Sequence, residues 1–482
     1  FLVAQVEQEL SNLGYSDAEV QGGGLKVITT LDKNMQDAAV ATAQKYTEEA
    51  ATKAKPQQDA SQLHVAISSV DTATGGVLAM YGGPDYTTNS RNWSTTPRPA
   101  ASTFKSFATV AGLRNGYSLD STLKGDTFTP RGEGVPVRNE FSEQYGDVTL
   151  RKAVAESINT AFVDMTESMN NGPAAVIKAA NDAGAPTGAG WDANNRIALG
   201  AAEVSPLNMA NAYASLADSG KRKETHFVAK VLDRNGNTVY EAKNEATQAV
   251  EENVAANVTN ALTSVVEEGT GTKASQLNRP VAGKTGTNGV EDTITSAWFV
   301  GYTKQISTAV MYVAGDSGNE DLDAYKKPGD KTFFGSSYPL TTWVEYMQTA
   351  TKGQEVKQFD KAKPIQGKST APTEAPSQSA QPTQSAQPTQ SAQPTQEPSY
   401  GGRRPTSEST DSGRSTPSTQ PTRGRSQAPT TQPTGGRGTQ QPTGGGNNQP
   451  TNPGNDERGP GGGQQGDRDG QRGNNGRERG GG

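Results

Sequence analysis

A serine and a lysine three residues apart, Ser102 and Lys105, form a pair that could do chemistry. Serine is a weak nucleophile and attacks a carbonyl only when a base lies within hydrogen-bond reach. Residues three apart on a helix share one face, so Lys105 can reach Ser102 if Ser102 opens a helix. The lysine can serve as the base only when it is neutral, a state that desolvation and nearby cations favour.

Two further motifs follow this pair in chain order. Ser157 is followed two residues later by Asn159, and residues 284–287 read Lys-Thr-Gly-Thr. The ordered set of three is the signature of serine enzymes that recognise penicillin. Ser-x-x-Lys and Ser-x-Asn recur elsewhere in the chain and are weak alone, whereas Lys-Thr-Gly occurs once. The interpretation therefore rests on the order of the three motifs along the chain.

A second Ser-x-x-Lys motif, at Ser121 and Lys124, competes with the first. Ser102 follows a proline-containing stretch and leads into apolar residues at helical spacing, which are Phe104, Phe107, Val110, Ala111 and Leu113. We predict that Ser102 lies at a helix N-terminus, where free backbone N–H groups favour developing negative charge. Ser121 lies in a polar stretch and is predicted to be a loop serine.

The Lys-Thr-Gly triplet lies between two apolar runs, 279–283 and 296–302. Two such runs joined by a polar segment predict an antiparallel strand pair. We therefore expect Lys284 on a strand edge beside the helix that carries Ser102.

These motifs resemble the transpeptidase part of class A penicillin-binding proteins, the bifunctional enzymes that build bacterial peptidoglycan. Similar segments continue in family order from about the first residue to about Tyr346, and they are 24–32, 70–80, 155–162, 199–207 and 269–272. The resemblance implies that the native protein continues upstream into a glycosyltransferase domain and a membrane anchor, so the location would be extracytoplasmic. The start at Phe1, without an initiator methionine, indicates a fragment.

The chain departs from the family pattern at four positions. Ala100 and Ala101 stand where the family usually has Pro-Gly, Phe107 replaces a proline, and Ser296 replaces an acidic residue. None of these positions belongs to a motif. They bear on the rigidity of the loops and not on the catalytic groups.

The pattern of elements predicts an α/β fold. Residues near 62–83 and 280–314 give strand patterns, and the region from Ser102 to about Gly220 is mostly helical. Strands at both ends with helices between them predict an antiparallel sheet covered by helices. This is the penicillin-recognising serine transpeptidase/β-lactamase-like fold that the resemblance implies.

The amino-acid composition divides the chain of 482 residues into an N-terminal part that can fold and a C-terminal tail. The whole chain has 55 glycines and 28 prolines. From about Pro364 it is polar and repetitive, with too little apolar surface to offset the entropy of ordering. We expect 1–60 to be a remnant of the linker before the catalytic domain, 61–350 the transpeptidase domain, and 351–482 a disordered tail. The Gly/Arg-rich end is interpreted either as an arm that lies on the anionic cell wall or as a solvated spacer. The spacer is favoured, because acidic residues dilute the positive charge of the arginines.

Several classes of function are disfavoured. The chain has no cysteine, and neither of its two histidines, His64 and His226, has the setting of a catalytic residue, so no metal or cofactor is expected. Its net charge of −6 speaks against nucleic acid. No stretch of about twenty apolar residues is present, so no transmembrane helix is predicted.

The resemblance implies a role for each catalytic group. Ser102 attacks the carbonyl between the terminal D-alanines of a peptidoglycan stem peptide, and neutral Lys105 accepts its proton. Ser157 and Lys284 relay a proton to the departing D-alanine, and Lys284 is most useful when it is charged. β-Lactams would acylate the same serine. In the alternative, non-catalytic interpretation, Ser157 is an ordinary serine at a helix end and Lys284 is a solvated lysine on an edge strand.

The remaining motif residues are implied to bind substrate. Asn159 holds the donor peptide backbone, and Thr285 and Thr287 hydrogen-bond the substrate carboxylate on either side of Gly286. Backbone N–H groups of Ser102 and Thr287 form the oxyanion hole, where one donor is typically worth about 10²–10³ in rate.

Three rival functions share these motifs. A β-lactamase hydrolyses the acyl-enzyme with a glutamate-activated water, but the stretch 190–196 contains no glutamate. A D,D-carboxypeptidase passes the acyl group to water instead of an amine, and the motifs do not separate it from a transpeptidase. A non-catalytic β-lactam-sensing or wall-binding module is disfavoured because all three motifs are intact.

Overall fold

The computed structural model describes residues 1–87, 89–290 and 293–368. The described α-helices are α1 Leu2–Asn12, α2 Asp17–Gly22, α3 Lys33–Lys53, α4 Lys105–Arg114, α5 Leu150–Ala155, α6 Asn159–Ser168, α7 Gly172–Ala183, α8 Pro206–Ala217, α9 Glu252–Glu267 and α10 Tyr338–Ala350. The strands are β1 Lys26–Thr29, β2 Leu63–Asp71, β3 Val77–Tyr81, β4 Arg98–Pro99, β5 Thr122–Lys124, β6 Asp147–Thr149, β7 Glu203–Val204, β8 Lys221–Arg222, β9 Val228–Leu232, β10 Thr238–Glu241, β11 Thr247–Gln248, β12 Ala282–Val290, β13 Thr293–Tyr302 and β14 Ile306–Ala314.

A five-stranded antiparallel sheet organises the chain, in the order β12-β13-β14-β2-β3. Both faces of its central strands are buried, which explains why residues 309–314 of β14 form an apolar run instead of alternating with polar residues. Val310 of β14 belongs to the core shared with Tyr46 of α3 and Trp343 of α10, while its neighbour Met311 belongs to the core shared with helices α4 to α9. The predicted α/β fold, an antiparallel sheet covered by helices, is confirmed.

The N-terminal residues form a smaller layer. Strands β1, β9 and β10 make a separate sheet, on which Leu10 of α1 packs against Val228 and Val231. Helix α3 lies within the segment predicted to be a linker remnant, yet it shares a core with α10, and Glu345 of α10 binds Lys45 and Tyr46 of α3 at 2.6 and 2.7 Å.

The segment 351–368 differs from the expectation that a disordered tail begins at residue 351. It follows an extended path on the domain, where Phe359 and Ile365 pack against the core. Asp360 pairs with Lys304 at 2.8 Å, and the Lys363 N–H donates to Asn253 Oδ1 at 2.8 Å. A few apolar anchors within a polar sequence hold this segment, and a composition average does not detect them. The rest of the predicted tail, residues 369–482, with its expected wall contact, lies outside the described residues.

Within the described part of the chain, no helix is both long and apolar enough to cross a bilayer.

Candidate active site

Ser102 lies in a 3₁₀ turn, Ala101–Phe104, which runs directly into α4. The turn is entered through Ala101, whose φ of 52° is in the left-handed region. The Ala101 N–H donates to the Gly200 carbonyl at 2.9 Å. A Cβ at Gly200 would lie 1.9 Å from the Ala101 carbonyl oxygen, so only glycine permits this approach. The structure places Ser102 at a helical start, as the sequence predicts.

Ser296, one of the departures from the family pattern, anchors the chain just before this turn. Its hydroxyl donates to the Pro99 carbonyl at 2.9 Å, and Trp298 Nε1 donates to the same oxygen at 2.9 Å. Both side chains are fully buried. Strand β13 therefore fixes the approach to Ser102 with neutral donors.

Lys105, the first residue of α4, is fully buried. Its Nζ lies 2.7 Å from the Ser157 carbonyl oxygen, 2.7 Å from Asn159 Oδ1 and 3.2 Å from Ser157 Oγ. Burial, and then the charge of Lys284, lower the pKa of Lys105 well below its ordinary value, while the charge of Glu140 opposes this. A neutral amine can donate to the two nearer acceptors and keep its lone pair for a hydroxyl.

Ser157 lies in the corner between α5 and α6, and its φ of 60° is left-handed. Helix α6 begins immediately afterwards at Asn159. The corner brings Ser157 Oγ and Asn159 Oδ1 to the same nitrogen, Nζ of Lys105. Asn159 Nδ2 also donates to the Arg138 carbonyl at 3.2 Å, which fixes the orientation of the amide.

Lys284 lies on β12, at the edge of the large sheet, and pairs in register with Val300 of β13. The predicted antiparallel edge strand is therefore present. Lys284 is fully buried, and burial lowers its pKa to about 7. A Cβ on Gly286 would lie 3.0 Å from Thr103 Cγ2 and 3.1 Å from the Ala100 carbonyl oxygen, so the strand packs closely on the Ser102 turn.

The two threonines of the motif already have partners. Thr285 Oγ1 lies 2.7 Å from Thr270 Oγ1, and Thr287 Oγ1 accepts the Gly335 N–H at 3.1 Å. Thr287 therefore keeps its own hydroxyl proton for a ligand.

One cleft brings the predicted residues together. Six of the eight line it directly, namely Ser102, Ser157, Asn159, Thr285, Gly286 and Thr287. The other two, Lys105 and Lys284, are buried, and Lys105 contacts the cleft residues Ser157 and Asn159.

Sequence reasoning missed six residues that line the same cleft, which are Glu140, Glu156, Thr270, Phe334, Gly335 and Ser336. Two of them had a local signal, since Glu156 adjoins Ser157 and Thr270 lies in a segment similar to the family. Glu140 and 334–336 come from loops with no such pattern. The competing Ser121 is buried away from the cleft, where its Oγ accepts the Ser118 N–H at 2.9 Å.

The histidines do not line the cleft. His64 Nε2 lies 3.1 Å from the Gly315 carbonyl oxygen, and its ring stacks on Trp93 at 4.9 Å. His226 Nδ1 lies 3.4 Å from the Glu224 carbonyl oxygen. Among the residues described, no cluster of three or more His, Cys, Asp or Glu side chains could hold a metal ion.

Comparison with known proteins gives a consistent result. The family model described as the penicillin-binding protein transpeptidase domain matches residues 65–334. Penicillin-binding protein 1A of Mycolicibacterium smegmatis is 32% identical over 385 residues, which are 76% of this chain and 47% of that protein. Penicillin-binding protein 2D of Bacillus subtilis is 29% identical over 370 residues, 74% of this chain and 49% of that protein. The chain thus spans about half the length of these relatives.

Solved structures agree with the sequence matches. The structure of PonA1 from Mycobacterium tuberculosis in complex with penicillin V superposes with a TM-score of 0.67 at 30% identity, covering 76% of this chain and 96% of that one. Penicillin-binding protein 1A from Haemophilus influenzae superposes with a TM-score of 0.64 over 74% of this chain and 71% of that one, at 16% identity, which shows a common fold.

Proposed function

The chain belongs to the penicillin-binding protein transpeptidase family, and on that premise we propose that it cross-links peptidoglycan stem peptides through an acyl-enzyme on Ser102. The observation that carries this proposal is the convergence at one cleft of a half-buried serine, the buried amine of Lys105 and the Lys-Thr-Gly edge strand. Placed in the class A group, the native protein would also carry a glycosyltransferase domain and a membrane anchor, and would act outside the cytoplasm.

Acylation begins with attack of Ser102 Oγ on the carbonyl between the terminal D-alanines. The hydroxyl proton passes to the neutral amine of Lys105, whose other hydrogens are engaged by Ser157 and Asn159. As the peptide C–N bond breaks, the departing D-alanine nitrogen takes a proton through Ser157 and Lys284. A neighbouring stem amine then attacks the ester, loses its proton and releases Ser102.

Substrate recognition falls to the edge strand and its surroundings. Thr287 can donate its free hydroxyl proton to the terminal carboxylate, and Thr285 contributes from the same strand. The Lys284 ammonium adds a favourable charge. Gly286 lets the strand approach the Ser102 turn, so backbone N–H groups of Ser102 and Thr287 can face one developing oxyanion.

Covalent labelling tests the proposal. After incubation with a penicillin, intact-mass and peptide mass spectrometry should find one adduct, on Ser102. Ser102→Ala should abolish this adduct, and Ser121→Ala, the matched change at the competing motif, should retain it. An adduct on another serine would overturn the assignment.

Peptide turnover separates the rival reactions. With a donor peptide ending in D-Ala-D-Ala, a transpeptidase transfers the acyl group to an added amine, whereas a carboxypeptidase yields only the hydrolysed peptide. Chromatography of the products should show the amide product rising with amine concentration. Exclusive hydrolysis would favour the carboxypeptidase.

A further inference from the structure

A second cavity, of about 360 Å³, adjoins the catalytic cleft. Phe334 and Ser336 line both spaces, so the two meet at these residues. Three lysines, Lys273, Lys327 and Lys331, contribute to the lining of the second cavity. The second cavity, which Asp330 also lines, is therefore a basic space next to the catalytic cleft, and the proposed mechanism does not use it.

Two of these lysines converge on one oxygen. Lys273 Nζ lies 2.7 Å and Lys327 Nζ 3.2 Å from Thr341 Oγ1. The Thr341 hydroxyl donates to the Ser337 carbonyl at 2.7 Å, so it serves both amines as an acceptor. Within the described residues, neither lysine forms an ion pair with a carboxylate.

Nearby acids do not neutralise the pair directly. Glu345 is engaged by Lys45 at 2.6 Å and Tyr46 at 2.7 Å, and Asp330 Oδ2 accepts the Ser337 hydroxyl at 2.7 Å. Burial lowers the pKa of Lys273, while the charges of Glu49 and Glu345 oppose this. Burial, and then the charge of Lys273, lower the pKa of Lys327, while the charges of Asp330 and Glu49 oppose this. Two partly desolvated ammonium groups that repel each other are stabilised by an anion placed between them.

We propose that this cavity is a subsite for a second carboxylate of the peptide held in the catalytic cleft, an inference that rests on the proposed function. Lysine acts as a point charge with rotatable donors, so the pair can bind a carboxylate without a fixed bidentate geometry. A free phosphate would satisfy the same charges. Because Phe334 and Ser336 line both spaces, a group carried by the bound peptide is favoured over a free anion.

A matched peptide pair tests the subsite. The two donor peptides end in D-Ala-D-Ala and differ only in an upstream side chain, a free carboxylate in one and a carboxamide in the other. For the unmodified protein, KM should be at least about tenfold lower for the acid, the ratio expected of one charge-assisted hydrogen bond. Lys273→Gln combined with Lys327→Gln should bring this ratio close to one.

The control is Lys352→Gln combined with Lys357→Gln, which removes the same two charges at exposed lysines outside the cavity and should preserve the ratio. The penicillin acylation rate of each variant is measured in parallel, so a loss specific to the carboxylate is distinguished from a damaged active site. An acid-to-amide ratio that is the same in the unmodified protein and the double variant would overturn the subsite.

A direct measurement of peptide binding tests the subsite even if the protein does not turn over the donor peptides. Calorimetry with Ser102→Ala should show tighter binding of the acid peptide than of the amide, and the two lysine substitutions should remove the difference. Inorganic phosphate provides the last arm. If phosphate binding depends on the two lysines while the peptides bind equally, the cavity takes a free anion and the peptide assignment is wrong.

Discussion

At the residue scale, Lys105 and Lys284 share an environment that lowers the pKa of both side chains. Both side chains are fully buried. The pKa of Lys284 falls to about 7 through burial, and the pKa of Lys105 is lowered by burial and further by the charge of Lys284. Because each proton on one lysine disfavours a proton on the other, the pair can hold one neutral amine beside one ammonium group. The division of labour expected from the sequence, a neutral Lys105 and a charged Lys284, stays a prediction.

Arginine substitutions test that division. Lys105→Arg cannot serve as a base near neutral pH, because a guanidinium does not deprotonate there. It should lower the rate of penicillin acylation by several orders of magnitude. Lys284→Arg keeps the charge and should retain measurable acylation. Thermal unfolding of both variants is the control for folding, and equal impairment or a reversed order would contradict the assignment.

The pH dependence of acylation should reflect the environment of Lys105. A neutral base is required, so the rate falls as the pH drops through the pKa of Lys105. The Glu140 carboxylate favours the charged lysine. Glu140→Gln should therefore lower that pKa further and move the acidic limb of the rate profile to lower pH. Second-order acylation rates measured across that limb check the shift.

Glu156→Gln is the matched control, because Glu156 lines the same cleft but is not among the groups that shift the pKa of Lys105. Its acidic limb should stay in place. A limb that moves to higher pH in Glu140→Gln, or equally in both variants, would show that Glu140 does not act through Lys105.

At the element scale, the 3₁₀ turn before α4 holds a residue in a conformation that suits glycine. A non-glycine residue in the left-handed region costs about 1–2 kcal/mol, and glycine costs about 0.5–1 kcal/mol through chain entropy. Ala101→Gly should therefore raise the free energy of unfolding, by up to about 1 kcal/mol. Chemical denaturation measures this change.

The control is the same substitution within α4, Ala108→Gly, where the residue is buried and helical. It should destabilise by about 1 kcal/mol or more, because glycine is unfavourable in a helix interior. A loss of stability at both positions would show that the Ala101 turn is not strained.

The elements that carry the motifs were predictable because their signals are local. Apolar spacing after Ser102 predicts α4, and the paired apolar runs around Lys284 predict the β12–β13 hairpin. The rim of the cleft depends instead on contacts between distant loops. Phe141 meets Phe334 edge to face at 6.0 Å, and Lys331 lies 4.2 Å above the Phe141 ring. No spacing rule brings these residues together, so Glu140 and Phe334 were missed.

At the scale of the whole molecule, the boundary of the folded part lies beyond the point that composition suggested. Phe359 packs edge to face on Tyr302 at 5.6 Å, and the Lys368 N–H donates to the Gly116 carbonyl at 2.9 Å. These contacts are separated by polar residues. Average hydrophobicity therefore places 351–368 in the tail, although a few side chains suffice to hold the segment on the domain.

Phe359→Ala tests whether the segment stabilises the domain. A fully buried side chain of this size contributes about 1.5–3 kcal/mol, and the partly buried Phe359 should contribute less. The substitution should lower the melting temperature by a few degrees. Val356→Ala changes a side chain of the same segment that is 50% exposed, and it should have little effect. Equal effects would mean that Phe359 is not an anchor.

Two truncations locate the end of the folded part. A chain that ends at Lys368 keeps every described contact and loses only residues predicted from composition to be disordered, so its melting temperature and acylation should match those of the full chain. A chain that ends at Lys352 loses the Phe359 and Ile365 packing and the Lys304–Asp360 pair, and its melting temperature should fall by several degrees. If the two truncations behave alike, either residues beyond 368 dock on the domain or 353–368 contributes nothing, and comparison with the full chain separates these outcomes.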